Sequence, residues 1–191
     1  MIEKIKYDAN PFLYPMPVVI VGVNIEDRAN FVTVSFISKV NINPPLIGIA
    51  LNHKHLSTEG VDNYDTFSIN IPGENLISEA DYCGMVSGDF AKKEPLFDVF
   101  YGSLKTAPMI SECPFNMECR LVERIELPKN YLYIGEVVNS YTEERFMTDG
   151  KPDIKKMNTY VVTMPDNRYW AIGDHIGDAW HEGKSLKKSN N

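Results

Sequence analysis

Two short segments carry side chains whose types and order could hold a polar ligand. The first is Asn30-Phe31-Val32-Thr33-Val34-Ser35-Phe36, in which small hydroxyls alternate with apolar residues. Successive side chains of an extended chain point to opposite faces, so one face can offer hydroxyls and accessible backbone while the other packs. The same pattern also describes an ordinary strand with threonine and serine on its exposed side. The second is Asn52-His53-Lys54-His55-Leu56-Ser57-Thr58, which follows an apolar run and opens a helical one. A helix N-terminus presents unpaired amides and the positive end of the dipole, which suits a phosphate. Ser57 and Thr58 add hydroxyl donors, and Lys54 or His55 adds positive charge. Read alone, this segment is equally a helix cap beside solvated cations.

The two segments mean more together. A polar strand edge, followed within one strand by a phosphate-type helix start, suits a flavin mononucleotide (FMN) with its ring along the first and its phosphate at the second. Other chemistries lack support. Cys83, Cys113 and Cys119 with His53, His55, His175 and His181 show no ligand spacing except His53 and His55, which share a face of an extended chain, so no metal site is expected. Cys119 reads as core, and Cys83 as a small helix-packing residue or a thiol beside the ligand. Neither a dinucleotide-binding glycine pattern nor a serine-hydrolase elbow is present.

The elements that must position these groups are mostly strands. Met16 to Ile25 reads as a buried strand, Glu26 to Arg28 as a turn, and Ala29 to Val40 as one long second strand. Asn43-Pro44-Pro45 punctuates the chain before a third strand, Leu46 to Leu51. Ser57 to Tyr64 is predicted as a helix capped by Ser57 or Thr58. Phe67 to Ile71 is a strand, and Asn75 to Met85 a helix with Leu76, Ile77, Ala80 and Cys83 or Gly84 on one face. Ser87 to Gly102 is irregular, with a short helix around Lys93 to Phe97. Pro114 to Leu127 is a long strand half facing solvent. Met117, Cys119, Leu121 and Ile125 point one way, and Asn116, Glu118, Arg120 and Arg124 the other, with Val122 and Glu123 breaking the alternation. Tyr131 to Tyr141, Val161 to Met164 and Tyr169 to Ile172 complete the strands. Asp178 to Asn191 reads as an exposed tail with Lys184, Lys187 and Lys188 solvated. Strands in hairpins imply a mainly β, mostly antiparallel fold, closed into a barrel with helices outside, because closure removes edges.

The chain has 191 residues, which suits a single domain over 1–191. Nineteen Lys and Arg against 26 Asp and Glu give a net charge of −7, which argues against nucleic acid or an anionic membrane as partner. The odd count of three cysteines fits a reducing cytoplasm. Met1 to Asn10 is polar and lacks a signal-peptide apolar region, and no apolar run approaches the ~18 residues of a membrane span.

With these residues in view, the sequence resembles the flavin reductase-like, FMN-binding family, in its flavoredoxin-type branch. The resemblance is carried by NFVTVSF (30–36), NPPL (43–46), NHKHLST (52–58), TFSINI (66–71), CGMVSG (83–88) with Lys93, ECPFNME (112–118) and YWAIGDHIGDAWHEG (169–183), in that order. It implies a six-stranded antiparallel split β-barrel with Greek-key connectivity, assembled as a homodimer. It implies FMN near the dimer interface, its phosphate near Ser57 and Thr58 with help from Asn52 and Lys54. Thr33, Val34, Ser35 and Phe36 would line the ring, mainly through backbone groups, and Lys93 would approach from its loop. Asn30, Ala50, Leu51 and His55 complete the cofactor-binding set. Tyr169 and Trp170 would cover the ring or shape the interface. Where many relatives have an arginine near the phosphate, this chain offers Lys54 and two histidines. The activity implied is an NAD(P)H-dependent flavin or ferric reductase, with NADH or NADPH as transient reductant and a small molecule or protein as electron acceptor. A flavoredoxin-like carrier reduced by a protein, or a non-catalytic FMN-binding module, are the alternatives. Because the cofactor carries the chemistry, no side-chain general base is required.

Overall fold

In the computed structural model, which describes residues 2–86 and 93–189, the chain begins its ordered core with β1 (Met16–Pro17) and β2 (Val19–Ile25). Every residue of β2 but the last is buried, so both its faces pack, as its run of valine and isoleucine requires. A two-residue turn reverses the chain into β3 (Arg28–Val34), with Ile25 opposite Arg28. Glu26 and Asp27 both adopt positive φ, the geometry that matches the twist of a hairpin.

The expected strand from Ala29 to Val40 is broken in two. β3 ends at Val34, and β4 (Ile37–Asn41) resumes after Ser35 and Phe36. The break decides the architecture. β4 pairs with β5 (Leu46–Asn52), and the main sheet runs β3-β2, then β6 (Thr66–Ile71), β9 (Phe115–Glu126), β10 (Asn130–Thr142), β5 and β4, every pairing antiparallel. β3 and β4 are thus the two edges of the order, yet only two residues separate them in the chain. Two residues span roughly 10 Å at most, so the sheet must curl until its edges meet. One further backbone bond, from the Ala50 amide to the Phe36 carbonyl at 2.9 Å, extends the β4–β5 ladder into the break. The result is a barrel split along β3 rather than closed by a continuous ladder. Counting β3 and β4 as one interrupted strand gives the expected six, and the β5–β6 crossover gives the Greek key.

α1 (Ser57–Tyr64) lies in that crossover and plugs the barrel end. Gly60 faces β2 so closely that a β-carbon there would come within 2.6 Å of the Asn24 carbonyl. Val61 joins Val19, Val21, Val23, Val32, Val34, Ile49, Leu51, Phe67, Ile69, Cys119 and Tyr133 in the barrel core. A second core forms outside the barrel, where α2 (Ile77–Met85) lays Ala80 and Cys83 over Phe31 and Ile20. Cys113 and Ile110 join it from the segment that follows β7 (Val99–Tyr101) and includes β8 (Pro108–Ile110).

The expected solvent face of β9 is half buried, which corrects the alternation read from sequence. Asn116 and Glu118 are buried beneath the β7–β8 hairpin, while Arg120 and Arg124 are exposed. The irregularity at Val122 is a β-bulge, since Leu121 and Glu123 pair with the adjacent Gly135 and Ile134. Beyond β10 come β11 (Met147–Thr148), β12 (Lys151–Pro152) and α3 (Ile154–Met157), whose first-turn amides are capped by Asp153. β13 (Tyr160–Thr163) and β14 (Arg168–Ala171) then form a small sheet with β1 that packs beside α2. A 3-10 helix spans Glu182–Ser189, in the segment expected to be an exposed tail, and Lys184 is exposed. The expectations for Ser87 and the rest of 87–92, for 190–191, and for the Lys187 and Lys188 side chains lie outside the described residues. Among the described residues no helix is long and apolar enough to cross a membrane.

Candidate functional site

The break between β3 and β4 opens onto a cleft of about 640 Å³. Thr33, Val34, Ser35 and Phe36 form its barrel side with Ala50 and Asn52, and α2 supplies Asp81, Gly84 and Met85. Val162, Met164, Asn167 and Tyr169, from the β13–β14 hairpin, make the outer wall. Beside it lies a smaller pocket of about 170 Å³, between α2 and the start of α1. Asn30, Lys54, Ser57 and Lys93 line this pocket, and His55, Gly84 and Met85 line both cavities, so the two adjoin. The larger volume falls in the ~300–1,000 Å³ range of small-molecule sites.

The two cavities differ in charge. The smaller one gathers Lys54, Lys93 and His55, with no carboxylate among its described lining residues. Lys93 is buried, and its Nζ donates to the Phe31 carbonyl at 2.9 Å and the Cys83 carbonyl at 3.0 Å, acceptors that carry no formal charge. Burial pushes the Lys93 ammonium below its ordinary value, and the nearby Cys83 thiol partly restores it. Burial, then the Lys93 charge, lowers the His55 imidazole below its ordinary range. The Cys83 thiol is pushed up to about 11, chiefly by burial, so it stays protonated at neutral pH and acts as a packing residue.

The start of α1 differs from the expected cap. Leu56 occupies the N-cap position, in helical conformation, and no side chain caps the helix. Thr58 Oγ1 donates back to the His55 carbonyl at 2.8 Å, and Ser57 Oγ accepts from Asn30 Nδ2 at 3.0 Å. The Asn52–Ser57 stretch winds as a turn, in which the His55 amide bonds the Asn52 carbonyl and the Thr58 amide the His55 carbonyl. Among the described residues no backbone acceptor is found for the Leu56 and Ser57 amides. His55 Nδ1 is buried without a partner. An unspent ring nitrogen, two lysines and open amides on one small pocket form a donor set that fits a phosphate.

Twelve of the 15 residues singled out in the sequence line one cavity or the other: Asn30, Thr33, Val34, Ser35, Phe36, Ala50, Asn52, Lys54, His55, Ser57, Lys93 and Tyr169. Three do not. Leu51 points into the barrel core, because it alternates with Ala50 along β5. Thr58 is buried behind its own turn. Trp170 alternates away from Tyr169 and donates from Nε1 to Thr163 Oγ1 at 2.9 Å. Thr33 lines the cleft, but its hydroxyl is taken by the Ala80 carbonyl, which leaves backbone groups to meet a ligand there. Of the residues that line the wide cleft, sequence reading missed Asp81, Gly84, Met85, Asn130, Val162, Met164 and Asn167. Only the CGMVSG segment, which contains Gly84 and Met85, gave a signal for any of them. Asp81 accepts from the Tyr169 hydroxyl at 2.8 Å, a link across 88 residues that no local pattern contains.

Residues 12–152 match the model of the flavin reductase like domain family. Among solved structures, the chain is similar to a flavoredoxin from Methanosarcina acetivorans, at 49% identity and a TM-score of 0.95, over 97% of this chain and 100% of that one. It is similar to a flavoredoxin of Desulfovibrio vulgaris (Miyazaki F) at 27% identity and a TM-score of 0.89, over 95% and 100% of the two chains. The fold is shared with an FMN-binding protein from Thermus thermophilus with bound 1-cyclohex-2-enone, at 19% identity and a TM-score of 0.78, over 93% and 99%.

Proposed function

Because the chain belongs to the flavin reductase like domain family, we propose that it is an FMN-binding oxidoreductase that takes electrons from NADH or NADPH. One observation carries the reading: a wide cleft along the broken strand adjoins a small cationic pocket at the start of α1. The phosphate belongs in the small pocket, held by Lys54, Lys93, Ser57 and the unspent Nδ1 of His55. Asn30 positions Ser57 by donating to its hydroxyl oxygen. The ring belongs in the wide cleft, against the backbone of Val34 to Phe36 and Ala50. When bound, FMN supplies the one- and two-electron redox chemistry that side chains lack. The protein's part is to fix the ring and to leave one side open to a partner. The amides of the broken strand also offer donors to a ring that gains negative charge. Apolar side chains left bare, such as Ile42 and Trp180, support assembly as a homodimer.

A second reading has its own support. The similarity to flavoredoxin at 49% identity favours an electron carrier reduced by a protein partner. The purified protein is expected to show a flavin absorption band that bleaches under anaerobic NADH or NADPH. A band that persists under both, but bleaches with dithionite, removes the nicotinamide step and favours the carrier. A colourless protein that takes up no added FMN removes both.

A further inference from the structure

The outer half of the wide cleft carries a feature that binding of FMN does not use. Among the described residues that line either cavity, Asp81 is the only carboxylate. It stands on α2, and the Tyr169 hydroxyl holds one of its oxygens at 2.8 Å from the facing hairpin. Among the described lining residues, Lys54 and Lys93 lie in the smaller pocket, and His55 at the junction is held toward its neutral form by burial and Lys93. The site is therefore bipolar, with cations at one end and an anchored carboxylate at the other. The cleft that holds this carboxylate is also lined by soft, exposed apolar side chains, Phe36 from the barrel side, Met85 from α2 and Met164 from the outer wall. A phenyl ring and two thioethers make a surface for a flat aromatic ring.

We propose that Asp81 makes the outer cleft a subsite for flat aromatic molecules that carry positive charge, and that it turns anionic ones away. The subsite rests on the reading of the inner cleft as the flavin ring's place, since that is what leaves the outer half to a second molecule. Opposite charge at close range attracts the cation, and the same carboxylate repels an anion of equal size. The Tyr169 hydroxyl fixes one oxygen of that carboxylate at the wall of the cleft.

The test uses two flat tricyclic probes of opposite charge, N-methylphenazinium and anthraquinone-2-sulfonate. Their dissociation constants are measured by fluorescence titration on the oxidised protein, with flavin content read from the visible spectrum. The wild type is expected to prefer the cation. Asp81→Asn, which can still accept from Tyr169, is expected to weaken the cation roughly fivefold and to strengthen the anion. Met85→Ala is expected to weaken both probes alike, because it removes contact area without charge. Equal affinities in the wild type, or a selectivity unchanged by Asp81→Asn, overturn the subsite. If the preference survives in a protein that binds no flavin, the subsite stands and the FMN reading fails. If flavin is bound and the preference is absent, the reverse holds.

Discussion

Several residues of the small pocket are held in states that a ligand would relieve, and this gives the residue-scale predictions. His55 lies below its ordinary value because burial and Lys93 both oppose its charge. The unfolded chain therefore binds more protons than the folded one between the lowered value and ~6.5. This imidazole's contribution to stability is complete above ~6.5 and fades as the pH falls through its folded value. His55→Gln is expected to flatten that part of the pH dependence of the urea midpoint in flavin-free protein. A slope unchanged between wild type and variant would assign the titration elsewhere. Ser57 makes the second prediction. Its hydroxyl is oriented by Asn30 and faces the pocket. Ser57→Ala is expected to weaken FMN by about 1.5–3 kcal/mol, the worth of one hydrogen bond to a charged group. Thr58→Ala is expected to act less, because the Thr58 hydroxyl is spent on the His55 carbonyl. Equilibrium dialysis of each variant against FMN separates the two.

At the scale of elements, the split barrel depends on a carboxylate that local sequence gives no reason to bury. Glu118, fully buried on β9, accepts from the Ser103 and Leu104 amides, the Ser103 hydroxyl, Asn139 and Tyr141. It pins the β7–β8 loop onto the β9–β10 ribbon. Gly102 makes room for it, since a β-carbon there would sit 2.6 Å from the carboxylate. Burial alone would raise the Glu118 carboxyl, but the donors outweigh it and hold it at about 2. Its stabilisation is therefore complete above the unfolded value near ~4.3 and is lost as the pH falls toward about 2. Glu118→Gln is expected to lower stability at neutral pH by on the order of 2 kcal/mol. It should also flatten the acid limb between those values in a denaturant series. The cleft itself also arises at this scale. The Tyr169–Asp81 hydrogen bond adds a polar tie to the apolar packing of the β13–β14 hairpin against α2, so Tyr169→Phe is expected to loosen the outer wall without unfolding the barrel.

The whole molecule leaves apolar surface that its own chain does not cover. Ile176 is 99% and Trp180 96% exposed on the segment after β14, and Ile42 is 77% exposed after β4. Where exposed side chains of this size share one face, they mark an interaction surface. In a homodimer they would bury against a second copy, with the total interface above ~1,200 Å². Light scattering is expected to give twice the 21.7 kDa of one chain. Trp180→Glu is expected to shift the equilibrium toward that single mass. A wild type that stays monomeric at micromolar concentration would leave those side chains to another partner.

The sequence by itself determined most of the long strands, their antiparallel hairpins, the buried β2 and most of the residues that line the two cavities. These are readable because side-chain alternation, turn residues and a helix start with free amides act over a few neighbours. Only the tertiary structure decided that Ala29 to Val40 breaks at Ser35, since β3 and β4 pair with different partners, β2 and β5, at opposite edges of the sheet order. It also decided that Leu51, Thr58 and Trp170 turn away from the cavities, that Glu118 is buried, and that Asp81 meets Tyr169. Each of those depends on what lies across the barrel or on a segment tens of residues away, and local periodicity carries no record of such contacts.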